Sequence, residues 1–187
     1  MTCRQAQTLP KNDLPRVWLM TDARFGDRLL RAVKALPFGS AVIFRHYALP
    51  NSQRRKLFLA VRTACRQRGH KLFLGGDERT ALKWRADGFH ARSGRRTSAL
   101  LRSAPVHNRH ELQEALRNGV DLLFISALFA TASHPDRRAL GRLAFNRLAS
   151  RKAHAHVIAL GGMNRQRASS LDRKHVHGWA AIDAFRK

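Results

Sequence analysis

Short, nearly unbroken apolar runs recur along the chain: RVWLM at 16–20, AVIFR at 41–45, KLFL at 71–74, ADGFHA at 86–91, APVH at 104–107, DLLFISALF at 121–129, HVIAL at 156–160 and GWAAIDAF at 178–185. A strand with one wet face alternates apolar and polar residues. These runs do not alternate, so they read as strands covered on both faces, as in a parallel sheet between two helical layers. Between them, apolar residues return at helical spacing. Leu29, Leu30, Val33 and Leu36 predict a helix over 26–36. Leu57, Phe58, Val61, Ala64 and Cys65 form the stripe of a longer one, which starts at the capping residue Asn51 or Ser52 and is stopped by Gly69. Shorter helices are predicted at 77–84, after the caps Asn108 and Asn164, and over 138–150, with a short basic helix near 97–102.

Eight such strands alternating with helices predict an α/β fold, a closed (β/α)8 TIM barrel in a single domain. The polar residues 1–15 form an N-terminal tail, and 16–187 form the barrel. The chain stops just after the eighth strand, so the last outer helix is expected to be missing. A doubly wound open sheet is the alternative, but no GxGxxG follows the first strand.

Composition narrows the partners more than the fold. Hydrophobic residues make up 44% of the 187, which suits a globular chain, whereas 36 Lys and Arg against 12 Asp and Glu leave a formal charge of +24. That field attracts polyanions and small phosphorylated ligands. The basic residues are dispersed, with clusters no longer than Arg54-Arg55-Lys56, and one Tyr and three Trp supply few rings for base stacking. Two readings therefore stand, an Arg-biased solvated surface or a surface that binds nucleic acid. Cys3 and Cys65 have no metal or redox spacing, no apolar signal segment opens the chain, and no run approaches a membrane span. A cytoplasmic protein with no membrane association is expected.

In a barrel, chemistry gathers where strands end. Those positions are Thr21-Asp22, Arg45 with Tyr47, Gly75-Gly76, 90–95, His107-Asn108, 131–134, Gly161-Gly162 and Ile182-Asp183. Gly161-Gly162 before a helix offers bare backbone amides to a phosphate, although two glycines also suit a tight turn. His107 is either a proton-transfer group or a structural histidine at a strand end. His154, His156, His175 and His177 precede strands seven and eight as two His-x-His pairs. They meet as a metal site at the far end of the barrel or remain scattered on the surface.

ADGFHA at 86–91, VHNRHELQEALRNGVD at 106–121, LFATASHP at 128–135, VIALGGMN at 157–164 and GWAAIDAF at 178–185 together resemble the successive signatures of the thiamine phosphate synthase and TenI superfamily, a family of (β/α)8 barrels. The synthase branch joins a pyrimidine diphosphate to a thiazole phosphate with magnesium, and the TenI branch includes thiazole tautomerases that use a histidine. The resemblance implies that Arg45 contacts diphosphate and that Thr131 and Ser133 are the hydroxyl pair after strand six. It implies that Gly161, Gly162, Ile182 and Asp183 surround the thiazole phosphate, and that His107 is the TenI catalytic histidine.

The chain also departs from the synthase pattern. Gly75-Gly76 stand for an Asn-Asp pair, Arg95 for an acidic residue, Tyr47 and His134 for lysines, and Pro105 for a hydroxyl residue. Magnesium wants carboxylate oxygen, so it is expected only if synthase activity is retained, and Arg95 is placed to neutralise diphosphate directly. A divergent synthase or TenI-like tautomerase is expected. The alternative is an inactive barrel that binds phosphorylated ligands or nucleic acid.

Overall fold

The computed structural model describes residues 14–131 and 139–186. The eight apolar runs supply eight parallel strands in chain order: β1 Val17–Met20, β2 Ala41–Phe44, β3 Lys71–Gly75, β4 Gly88–His90, β5 Leu101–Val106, β6 Leu122–Ile125, β7 His156–Ala159 and β8 Gly178–Ala181. Each pairs with the next, and β8 pairs back onto β1 at Val17↔Trp179 and Leu19↔Ala181, closing the barrel. An open doubly wound sheet is thereby excluded. Six α-helices lie outside it among the described residues: α1 Leu29–Ala35, α2 Asn51–Gln67, α3 Glu78–Trp84, α4 Arg109–Arg117, α5 Gly141–Ala149 and α6 Arg165–Ser169. β8 is followed by a single 3-10 turn at Asp183–Phe185. No helix among the described residues is long and apolar enough to cross a membrane.

The lack of alternation in the strands has a direct structural cause. Trp18, Ile43, Phe73, Phe124, Ile158 and Ala180 fill the barrel interior. Their neighbours in sequence, such as Leu19, Val42, Leu72, Leu123 and Val157, pack outward under the helices. Trp18 is fully buried at the centre, edge-on to Phe73 and Phe124 with ring centroids 5.1 and 5.3 Å away. Its indole Nε1 donates to Pro15 O at 2.7 Å, so this large ring is buried without an orphaned donor. Gly88 makes room for the interior: a Cβ there would lie 2.6 Å from the Phe73 ring and 2.6 Å from Leu101 O.

Two local expectations are corrected. The basic helix near 97–102 does not form. Leu101, Arg102 and Ser103 instead pair with Gly88, Phe89 and His90, so β5 begins three residues earlier than the apolar run suggests. The connection before it is tied down by Glu78, whose carboxylate accepts from the amides and hydroxyls of Thr97 and Ser98. Burial raises the Glu78 carboxyl, but these donors outweigh it and bring it down to about 2. The four-histidine cluster does not form either. His156 and His177 meet with ring centroids 4.9 Å apart, but His177 Nε2 donates to Leu14 O, His154 is exposed and His175 faces Asp172. Among the described residues no group of three His, Cys, Asp or Glu side chains could hold a metal.

Trp18→Ala should empty the centre of the barrel. Such truncations cost about 3–5 kcal/mol, and urea unfolding followed by far-UV circular dichroism should show a midpoint lowered accordingly, with Trp18→Phe losing less.

Candidate active site

At the C-terminal ends of the strands lies a cavity of about 840 Å³. Arg45, His107, Thr131, Gly161, Gly162, Ile182 and Asp183 all line it, so seven residues far apart in sequence converge on one space. Ser133 and His134 lie outside the described residues. Arg95 is exposed, and the guanidinium that its loop contributes to the wall belongs to Arg92.

One end of the cavity is made of backbone. Gly161 and Gly162 have φ of +95° and +61°. A Cβ on Gly161 would come 2.6 Å from Ala127, and one on Gly162 would come 2.5 Å from Ala130 O, so neither position has space for a side chain. The closeness arises because the segment after β6 is tied to the segment after β7, through Leu128 N to Leu160 O and Phe129 N to Gly161 O. The amides of Gly161, Gly162, Ile182 and Asp183 have no hydrogen-bond acceptor among the described residues. Unsatisfied amides grouped in a concave wall form a cradle for an oxyanion. The Asp183 carboxylate is balanced there, since Arg24 and Arg186 each donate to its Oδ1 at 3.1 Å.

His107 stands at the end of β5, with an orientation set by the first turn of α4. Asn108 caps that helix by accepting from Glu111 N, and Glu111 reaches back to accept from His107 N at 2.7 Å and His107 Nδ1 at 2.8 Å. The carboxylate can only accept, so Nδ1 carries the proton and Nε2 is left to the cavity. Arg92 donates to the other oxygen of Glu111 at 3.1 Å. Burial raises the Glu111 carboxyl, while the His107 hydrogen bonds and the Arg92 charge outweigh it, keeping Glu111 ionised.

The wall from β1 to β4 is basic. Arg45 donates from Nε to Thr21 O at 2.7 Å and from Nη2 to Asp22 Oδ2 at 2.9 Å, which holds its guanidinium at the rim. Beside it, Tyr47 covers Gly75: a Cβ at Gly75 would meet the Tyr47 hydroxyl at 2.5 Å and Phe44 O at 2.9 Å. Arg54, from the first turn of α2, donates to Arg45 O at 2.9 Å and to Gly75 O at 2.5 Å, and lies 5.3 Å from the centre of the Tyr47 ring.

His90 opens the 90–95 stretch at a strand end, and nothing in the sequence marks it for a role of its own. In the structure it lines the cavity and is 7% exposed. Ser103 Oγ donates to Phe89 O and so accepts from His90 Nδ1 at 3.0 Å, leaving His90 Nε2 as an acceptor. Burial, reinforced by the charge of Arg45, pushes this imidazole down to about 3.

A closed parallel barrel with a group of backbone amides and an oriented histidine at its strand ends is of the class that carries its chemistry at that face. Within that class the match is specific. The thiamine monophosphate synthase family model covers residues 17–185, and the chain belongs to that family. It is 29% identical to a thiamine-phosphate synthase of Chloroflexus aurantiacus over 181 residues, 90% of this chain and 84% of that protein. It is 26% identical to a putative thiamine-phosphate synthase 2 of Aquifex aeolicus, covering 92% and 98% of the two chains. The fold is also that of a thiamine phosphate pyrophosphorylase from Pyrococcus furiosus, with a TM-score of 0.76 at 23% identity over 93% of this chain and 88% of that one.

The His90 environment sets a pH dependence. Its folded pKa lies below the unfolded value of about 6.5, so the unfolded state binds the proton first. Stability is therefore complete above that pH and falls as the pH drops toward 3, at up to about 1.4 kcal/mol per pH unit. Urea titrations between pH 7 and 4 should show a shallower slope for His90→Gln than for the wild type.

Proposed function

We propose that this barrel is a metal-independent member of its family that binds a thiazole phosphate and moves a proton on it, as a thiazole tautomerase. The observation that carries this reading is His107, whose Nδ1 is fixed by Glu111 and whose Nε2 is left to a cavity that ends in the Gly161-Gly162 cradle. The phosphate would rest on the amides of Gly161, Gly162, Ile182 and Asp183, and Thr131 would bond a ring substituent. With the ring anchored in this way, Nε2 of His107 removes a proton from one carbon and the imidazolium so formed returns it to another. Glu111 stabilises the transient positive charge. Only C–H bonds break and form, so no leaving group needs a cation.

The wall from β2 to β4 supports the same reading. Magnesium would need carboxylate oxygens there, yet the chain offers Gly75 and Gly76. The Tyr47 hydroxyl stands 2.5 Å from where a Gly75 side chain would begin, and Arg54 is pinned against Gly75 O. Asp77, next in sequence, spends its carboxylate on Thr80 as the α3 cap. The residues do not fit the metal. Tyr47 in place of lysine and glycine in place of asparagine act as one change, because the ring occupies the space that the missing side chain would need.

Purified protein given the thiazole carboxylate phosphate tautomer should convert it at a rate unaffected by EDTA. His107→Asn should lower kcat by about 10²–10⁴-fold while thermal-shift binding of thiazole phosphate survives. Glu111→Gln should give a smaller loss. Magnesium-dependent formation of thiamine phosphate from pyrimidine diphosphate and thiazole phosphate would instead establish a synthase.

A further inference from the structure

A second cavity, of about 360 Å³, opens on the outer wall of the barrel beside the start of β8 and shares no lining residue with the cavity at the strand ends. Its apolar side is made by Leu171, Val176 and Trp179, and its basic side by Arg16, Arg165 and Arg173. The three arginines come from three separate places, before β1, at the start of α6 and in the loop that leads into β8. None makes an ion pair or a side-chain hydrogen bond with a described residue. The acid in that loop, Asp172, is committed elsewhere: its carboxylate accepts from Lys174 N and lies 4.0 Å from His175 Nε2.

Three guanidinium groups around one concavity repel one another, and that repulsion is relieved when an anion is bound. The floor adds a second requirement. Trp179 is stacked on Phe185, with centroids 5.3 Å apart and planes 21° apart, and is partly exposed, whereas Trp18 and Trp84 are 0% and 4% exposed. An aromatic floor flanked by arginines that pair with no described residue is complementary to a flat ring that carries phosphate. The volume falls within the range of small-molecule sites. A second copy of a chain with charge +24 is a poor source of the missing negative charge.

We propose that this groove is a second ligand site, separate from the barrel mouth, for a nucleoside diphosphate or triphosphate. The base lies against Trp179 and the phosphates lie among Arg16, Arg165 and Arg173. The site goes beyond the proton-transfer reading and does not depend on it.

Because Trp179 alone among the three tryptophans is accessible, it is a built-in reporter. Titrating ADP or ATP into the full chain should change tryptophan emission saturably. Arg165→Gln/Arg173→Gln should weaken binding at least tenfold with an unchanged circular dichroism spectrum. Trp179→Phe should abolish the emission change and weaken binding in calorimetry. Gly162→Ala, which obstructs the barrel mouth, should leave the titration unaltered. The proposal is overturned if nucleotide does not bind saturably, if the double arginine variant binds as the wild type does, if Gly162→Ala removes the signal, or if inorganic diphosphate binds as tightly as ADP.

Discussion

β8 rejoins β1 through a tight contact, Trp179 N donating to Arg16 O at 2.8 Å, with Gly178 packed against the Arg16 carbonyl. Closure leaves no strand edge unpaired, and it forces the strands to present inward side chains to one shared interior. Trp18 and its two edge-on phenylalanines meet that demand. The same closure brings the end of β8 beside the end of β7, which is why amides separated by twenty residues form one cradle.

The site divides between backbone and side chains. At β7 the amides of Gly161 and Gly162 sit in turns with no room for a side chain, so this end of the cavity is built of backbone. At β5 a single imidazole is oriented by a helix-capping carboxylate, Glu111, which also accepts from Arg92. At β2 and β3 the wall is taken up by Tyr47 and Arg54, both packed on Gly75.

The charge of +24 is used locally as well as globally. Arg24 and Arg186 neutralise Asp183, Arg54 bonds two strand-end carbonyls, and Arg102 is fully buried while donating to Asn118 O at 2.7 Å. These arginines act as structural ties. The side chains of Arg16, Arg165 and Arg173 make no such bond to a described residue, and that sets their groove apart from these ties.

Hydropathy along the chain was enough to reveal eight strands, their parallel order and the positions where they end, because burial on both faces leaves a mark on every residue of a strand. The motifs carried Arg45, His107, Gly161 and Gly162 to one cavity for the same reason, since each sits at a strand end. Other features were illegible because they depend on residues distant in sequence. The segment at 97–102 looked helical until Glu78 and β4 claimed it. His90 became a buried neutral imidazole only through Ser103 and Phe124. Gly75 read as a missing ligand until folding placed Tyr47 over it. The Asp183 carboxylate is balanced by Arg24, 159 residues earlier, which reaches it only in the fold. Periodicity records which way a side chain faces, but the field and the space around it are set by neighbours that meet only when the barrel closes.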